Sequence, residues 1–255
     1  MIDFTHRAYR ELLEYIKGLG RRIVPFRDTR SADSGSCVIL RHDIDFSVTK
    51  AEEMALLDHQ AGVQSTFFVL LTTPYYNPLD EENLHTLKRM MELGHEIGLH
   101  YDCTGFDALS FDEQYRRIRT LVACLESHLG TEVRVIAQHK PAAAGIHPDF
   151  PGYMDPYSQA FSKDMSYISD SRMLFRVKDV YAFFRDHSRC QAVLHPIWWH
   201  AQPKTRAQIF EEIKSQLAQQ FDRMIDNEHQ IILDSLPKIL AESMSPDKPS
   251  PSGRK

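Results

Sequence analysis

The sequence predicts an α/β fold with a mostly parallel sheet, formed by a single domain. Short apolar runs alternate with longer amphipathic segments along the chain, which is the order that parallel strands and crossover helices require. The chain has 255 residues, of which 42% are hydrophobic. That is enough to bury one substantial core, and single domains of this size are common among α/β barrels.

The first half of the chain supplies three helices and three strands. A helix is predicted over residues 5–19, and "VILRHD" follows as a strand. Ser47 is a suitable N-cap for a helix over residues 48–60, after which "STFFVLL" forms an aromatic-rich strand. A third helix over residues 81–93 precedes the strand "HEIGLH". Each of these helices ends close to a glycine, as helices commonly do.

The second half continues the same alternation. Ser110 and Glu113 form a Ser-x-x-Glu capping box that opens a helix ending at Gly130, and "VRVIA" is the strand after it. Residues 142–165 are rich in proline and are predicted to form a long loop. The runs "YISDS" and "QAVLHPIWW" are two later strands, and a long helix from about Arg206 and the run "IILDSL" complete the predicted elements.

Composition limits the domain organisation and the partners. The domain is expected to span residues 1–242, followed by a disordered tail over residues 243–255, which are rich in serine, proline and charge. The net charge is −5, and no run of lysine or arginine stands out, so nucleic acid is not expected as a partner. Nowhere do eighteen apolar residues follow one another, so no membrane span is expected.

A cytoplasmic location is expected from the cysteines and from the N-terminal residues. The four cysteines are scattered and include no Cys-x-x-Cys pair, which predicts reduced thiols. The first twenty residues are amphipathic and charged, and they lack the apolar segment of a secretion signal.

Aspartates, histidines and a lysine follow five of the predicted strands. Each residue alone is typical of a turn or a helix cap. The carboxyl ends of parallel strands meet at one edge of a sheet, however, where active sites are found. We therefore expect one functional site, and aspartate with histidine suits a divalent ion such as zinc, cobalt or iron. The residues, in strand order, are Asp43, Asp45, His100, Asp102, His139, Lys140, Asp170 and His195.

The motifs "RHDIDFS", "STFFV", "LGHEIGLHYD", "QHKP", "YISDS" and "VLHPIWW" occur in the order seen in polysaccharide deacetylases of the NodB-homology type, a carbohydrate esterase family. The chain most resembles divergent members associated with bacterial surface-polysaccharide synthesis, and the resemblance covers about residues 9–199. It implies a distorted (β/α) barrel and a metal held by one aspartate and two histidines. The implied activity is removal of acyl groups, usually acetyl, from amino sugars.

The resemblance also implies roles for individual residues. Asp43 matches the general base of the family, and Asp45 matches its aspartate ligand. His195, within "LHP", matches the histidine that protonates the leaving amine. Lys140 lies where the family usually has an arginine that orients the base, and Asp170 lies near the position of its acidic partner.

The resemblance is incomplete at the metal. His100 matches the first histidine ligand, but Thr104 stands where the second histidine is expected. His139 is the preferred replacement because it lies at the next strand end and its imidazole would restore the donor set. Asp102 stays open as the alternative ligand.

Two main functions follow. The first is a metal-dependent hydrolase, with zinc as the favoured ion, that removes an N-acyl group, such as N-acetyl, from an amino sugar of a glycan, a lipid-linked precursor or a nucleotide-linked precursor. The second is a non-catalytic sugar-binding barrel that has lost the metal, in which Trp198 and Trp199 would form a stacking platform. A small-molecule amidohydrolase on the same barrel is a third possibility.

Overall fold

A parallel sheet forms the centre of the protein. The structure, a computed structural model, describes residues 2–32, 35–141, 147–163 and 165–243. The chain divides into two compact units after Arg206, and the first unit holds a seven-stranded sheet. Every pair of neighbouring strands in this sheet is parallel. The prediction of an α/β fold with a parallel sheet is therefore confirmed.

The strands form one curled parallel sheet. Across the sheet the strand order is β5-β4-β3-β2-β7-β6, and β1 pairs with the first residues of β2. Strands β5 and β6 are the two ends of this order, so the described part of the sheet is a distorted (β/α) barrel that does not close. The strands are β1 (Arg22–Val24), β2 (Cys37–Ile44), β3 (Thr66–Leu70), β4 (Glu96–Tyr101), β5 (Ile136–Gln138), β6 (Ser166–Ser169) and β7 (Arg189–Leu194).

The helices connect these strands. The four helices predicted in the first 130 residues are present, each within two residues of its predicted bounds. Short 3-10 helices occur at Phe26–Ala32, Phe106–Ala108 and Pro196–Trp198. The α-helices are α1 (His6–Gly18), α2 (Val48–Gln60), α3 (Glu81–Glu92), α4 (Phe111–Leu129), α5 (Gln159–Ser162), α6 (Val180–Asp186) and α7 (Arg206–Ser243).

Side-chain caps explain why the predicted helix starts agree with the structure. The Ser47 hydroxyl accepts a hydrogen bond from the backbone N–H of Lys50 at the start of α2. At the start of α4, Ser110 and Glu113 form the complete capping box. A cap satisfies a backbone N–H that the first helical turn leaves without a partner, so a local sequence signal is sufficient to set the helix start.

Four predicted elements differ from the structure or lie partly outside it. The strand predicted as "VRVIA" begins only at Ile136. The last strand ends at Leu194 instead of continuing through "HPIWW", because Pro196 lacks a backbone N–H and begins a 3-10 turn. The run "IILDSL" lies inside α7, since its apolar residues follow helical spacing. The predicted loop over residues 142–165 contains α5, and residues 142–146 lie outside the described residues.

The described residues do not test the predicted domain range. Residues 244–255, most of the predicted tail, lie outside the described residues, so the predicted domain range stays a prediction. Within the described parts of the chain, no helix is long and apolar enough to cross a membrane.

Because the strands are parallel, their carboxyl ends meet at one edge of the sheet, and this edge holds the candidate site.

Candidate active site

Strand β2 sorts its charged residues onto two faces. Residues two apart on a strand share a face, so Arg41 and Asp43 point to the same side. Asp45 follows the strand end and approaches Nε2 of His100, as Asp43 does. His42 points to the other side, where its Nε2 lies 2.9 Å from Oδ2 of Asp58 on α2. Charged groups can be buried at this strand end because each one faces a partner of opposite charge or a potential metal site.

Arg41 and Asp43 form a buried ion pair. Arg41 donates from Nε to Oδ1 of Asp43 at 2.6 Å and from Nη2 to Oδ2 at 2.8 Å. The two side chains are 0% and 6% exposed. Burial raises the pKa of Asp43, but the Arg41 guanidinium, with His100 and His195, outweighs burial and holds this pKa well below its usual range. Asp43 is therefore ionised and held in one orientation.

The guanidinium of Arg41 is itself held by aromatic rings. It lies 4.8 Å from the centre of the Phe68 ring and 5.0 Å from that of Tyr157, whose hydroxyl accepts a hydrogen bond from Nη2 at 3.1 Å. Gly98 on β4 makes room for the Phe68 ring, because a Cβ at this position would lie 2.8 Å from it. The Arg41 guanidinium is thus stacked between two aromatic rings beneath Asp43.

Asp45, His100 and His139 bring three potential metal ligands together. Each offers one ligand atom, and these three atoms all lie within 4.8 Å of one another. Oδ1 of Asp45 is 3.5 Å from Nε2 of His100 and 3.6 Å from Nε2 of His139. The three residues lie at the carboxyl ends of β2, β4 and β5, so the curled sheet assembles the group.

The geometry and the hydrogen bonds of this group fit a divalent transition metal. Ligands about 2.1 Å from a tetrahedral ion lie about 3.4 Å apart, close to the two separations found here. Oδ1 of Asp45 is buried and has no hydrogen-bond partner within the described structure. Nδ1 of His100 donates to the carbonyl of Ala137 at 2.8 Å, which leaves the lone pair of Nε2 free to bind metal.

The electrostatics of the group are compatible with metal binding. Burial lowers the pKa of His139, and neighbouring His100 lowers it further, against the opposing effect of Asp45. The neutral imidazole, which is the form that binds metal, is therefore favoured. Burial raises the pKa of Asp45, but His100 and His195 lower it more, so the net pKa is below its usual value.

Asp102 is not among the residues whose ligand atoms come together. Its Oδ1 accepts hydrogen bonds from the backbone N–H and the hydroxyl of Thr104, at 2.8 and 2.7 Å. This arrangement closes a local turn at an exposed position after β4. Thr104, where the resemblance implies a histidine, hydrogen-bonds to Asp102, and the grouping of ligand atoms makes His139 the candidate third ligand.

We predict that His139→Ala weakens metal binding as deeply as His100→Ala. Both losses should exceed the about 10–100-fold cost of removing a residue that only supports a ligand. Asp102→Asn is the matched control, since an amide oxygen still accepts hydrogen bonds from Thr104. Competition with a chelator measures the affinity. The assignment is wrong if Asp102→Asn loses the metal and His139→Ala keeps it.

His195 and Asp170 form a second pair, at the ends of β7 and β6. Nδ1 of His195 lies 2.6 Å from Oδ1 of Asp170, and the backbone N–H of His195 also donates to this carboxylate. Nε1 of Trp199 donates to Oδ2 of Asp170 at 2.9 Å. Nε2 of His195 lies 4.0 Å from Oδ2 of Asp45, so the free side of the imidazole is directed to the metal group.

The environment of His195 favours its protonated form. Burial lowers the pKa of His195, but the Asp170 carboxylate, together with Asp45 and Asp43, raises it more, to about 9. The imidazole therefore carries a proton at neutral pH. Because Asp170 binds Nδ1, the proton available to a substrate is the one on Nε2.

Lys140 does not pair with Asp43, the residue that the resemblance implied it would orient. The structure leaves Lys140 exposed, with a positive φ of 48°, and brings Arg41 to Asp43 in its stead. Sequence reasoning assigned no role to Arg41, although a signal was present. Arg41 is two residues before Asp43 on the same strand and so shares its face.

The two adjacent tryptophans do not form the exposed platform expected of a sugar-binding barrel. Trp198 is 6% exposed and Trp199 is fully buried. The 3-10 turn at Pro196–Trp198 turns both rings into the protein, where Trp199 binds Asp170. A sugar that stacks on this protein would need another aromatic surface.

Comparisons with known proteins give structural likeness only. No family model and no curated protein matches the chain. The chain is similar to the Xyl-CE4 domain of a multidomain xylanase from the hindgut metagenome of Trinervitermes trinervoides, at 16% identity over 73% of this chain and 85% of that chain, with a TM-score of 0.44. It is also similar to a chitin deacetylase from the fungal pathogen Colletotrichum lindemuthianum, at 18% identity over 71% and 82% of the two chains, with a TM-score of 0.43.

A CE4 family pseudoenzyme from Bacillus anthracis is a further match, at 17% identity over 72% of this chain and 62% of that chain, with a TM-score of 0.44. These three matches are a CE4 domain, a chitin deacetylase and a CE4 family pseudoenzyme, and the sequence motifs resemble polysaccharide deacetylases. Since these TM-scores are below 0.5, the chemistry of this chain is inferred from its own site.

Proposed function

We propose that this protein is a metal-dependent hydrolase that removes an N-acyl group, in the first place N-acetyl, from an amino sugar. The observation that carries the proposal is the grouping of three ligand atoms, from Asp45, His100 and His139, beside two groups that can move protons. Asp43 lies 3.7 Å from Nε2 of His100, and His195 lies 4.0 Å from Asp45. This is the set of groups that amide hydrolysis by a water molecule requires.

The residues beside the three candidate ligands have separate roles in the proposed reaction. When bound, the divalent ion supplies a Lewis acid that polarises the amide carbonyl and lowers the pKa of water to about 7. Asp43, held ionised and oriented by Arg41, accepts a proton from the attacking water. His195 donates its Nε2 proton to the departing nitrogen, and Asp170 stabilises the charged imidazole before this transfer. One water is consumed, the carbonyl C–N bond breaks, and a carboxylate and a free amine result.

The proposal also names a class of substrate, a metal and a cellular location. The substrate is an N-acetylated sugar of a glycan or of a lipid-linked or nucleotide-linked precursor in bacterial surface-polysaccharide synthesis, as the resemblance of the motifs implies. Zinc is the metal proposed, since carboxylate and imidazole donors suit it, with cobalt or iron sharing the same donors. A cytoplasmic location is supported by the four cysteines, all of which are free thiols.

The direct experiment loads the purified protein with zinc, cobalt or ferrous iron and offers it N-acetylated monosaccharides, oligosaccharides and sugar nucleotides. We expect acetate and a free amine in equal amounts. Asp45→Ala protein, treated in the same way, is the control. Metal-loaded protein that releases no acylate from any sugar would contradict the proposal, and release from non-sugar amides alone would identify a small-molecule amidohydrolase.

A non-catalytic sugar-binding barrel is the second candidate function, because Thr104 occupies the position of the expected histidine. Elemental analysis separates the two functions. The hydrolase should hold close to one transition-metal ion per chain, whereas the binding barrel should hold none. A protein that stays free of metal after incubation with excess zinc would favour the second candidate.

We predict that His195→Ala slows turnover by about 10²–10⁴-fold while metal content stays unchanged. An amine leaves poorly until it is protonated, so the tetrahedral intermediate returns to substrate more often. Steady-state kinetics and elemental analysis measure the two quantities. His85→Ala, on the exposed face of α3, is the control. A normal rate in His195→Ala would show that this histidine only packs beside Pro196.

A further inference from the structure

Helix α7 carries an apolar stripe along one face. Nine large apolar side chains of this helix are each between 43% and 64% exposed, and six of the seven that precede Pro237 lie on one face. Successive residues of an α-helix are 100° apart, so these six fall within an arc of about 140°. We call this set the α7 stripe, and its residues are Phe221, Met224, Ile225, Ile231, Ile232 and Leu236.

The exposed apolar area of the α7 stripe is more than half of one side of a standard protein interface. Six large side chains that are each about half exposed present on the order of 500 Å² of apolar surface, near the upper limit of what monomeric proteins leave in one patch. A partner in a standard protein interface buries about 800 Å² on each side. An isolated helix in water also depends on packing of its apolar face for most of its stability. The α7 stripe is therefore a surface that needs a cover.

The composition of the chain argues against an anionic membrane and against residues 244–255 as the binding partner of the α7 stripe. Helix α7 contains seven Asp and Glu residues and four Lys and Arg residues, whereas helices that lie on anionic membranes are rich in Lys and Arg. The sequence of residues 244–255 contains a single large apolar side chain, Met244, so this segment lacks the groups to cover six. The remaining partner for the α7 stripe is a protein surface that carries an apolar stripe of the same length.

We propose that α7 pairs with α7 of a second copy of this chain, so that the protein is a homodimer. A second copy supplies an apolar stripe of identical length and composition. Two-fold symmetric interfaces pair one patch with itself, and this is the commonest arrangement of soluble oligomers. The apolar residues of the α7 stripe recur three, four or seven positions apart, a spacing with which helices pack side by side. This inference is independent of the proposed enzymatic function.

Light scattering of the full chain during size-exclusion chromatography tests the proposal. Wild-type protein at tens of micromolar should have twice the chain mass of 29.5 kDa. Ile225→Glu and Ile232→Glu should each give the mass of a single chain, because a carboxylate would be buried without a partner. Leu233→Glu is the matched control. Leu233 is 46% exposed on the same helix but lies about 60° beyond the edge of the α7 stripe, so this variant should stay dimeric.

Three results would overturn the proposal. The first is a single-chain mass for the wild type, and the second is dissociation by Leu233→Glu as complete as by Ile225→Glu. The third is a monomeric wild type that sediments with phosphatidylserine vesicles, which would assign the α7 stripe to a lipid surface. Near-ultraviolet circular dichroism of buried Trp198 and Trp199 shows whether each variant has kept the fold of the first unit.

Discussion

Asp45→Ala is expected to abolish metal binding. Asp45 supplies the only carboxylate among the three ligand atoms, and its loss leaves two neutral imidazoles to hold a divalent ion. The loss of affinity should lie well beyond the about 10–100-fold that follows removal of a supporting residue. Elemental analysis after dialysis measures the metal content, and turnover should disappear with the metal.

A second aspartate at a strand end provides the control for this experiment. Asp102→Ala removes a carboxylate that lies just after β4 but binds Thr104. We expect this variant to keep its metal. Full metal occupancy in Asp45→Ala would show that the ligand assignment is wrong, whatever the activity of the variant.

Asp43→Asn is expected to keep the metal and lose turnover by about 10²–10⁴-fold, because an amide does not accept a proton at neutral pH. The same change should lower the free energy of unfolding by on the order of 3 kcal/mol. Arg41 is fully buried, and replacement of Asp43 by asparagine leaves its charge without an anion. The two effects have different causes, so they are measured separately, by kinetics on folded protein and by urea unfolding.

An exposed ion pair gives the matched control for the stability effect. Arg185 donates from Nε to Asp186 at 2.9 Å, but both side chains are more than half exposed. Asp186→Asn should therefore cost at most about 1 kcal/mol. Equal losses in Asp43→Asn and Asp186→Asn would show that the buried pair adds nothing to stability. Loss of metal together with activity in Asp43→Asn would make Asp43 a ligand instead of a base.

The helices and the edge of the sheet that holds the site were predictable because their signals are local. Ser47 and the pair Ser110 and Glu113 mark helix starts through hydrogen bonds to backbone atoms three residues away or fewer. The alternation of helices with apolar runs indicated parallel strands, and parallel strands place their carboxyl ends together. The end of β7 was missed in part because Pro196 stops a strand in a run that is otherwise apolar.

The sequence by itself determined the α/β class, the edge of the sheet where polar residues gather and the residue types available there. Only the tertiary structure decided which charged groups meet. It pairs Arg41 with Asp43 and leaves Lys140 exposed. It also turns His139 to Asp45 from a strand more than ninety positions later in the chain. The physical reason is that Coulomb and hydrogen-bond energies depend on distances of a few Å, which strand order and sheet curvature set between residues far apart in sequence.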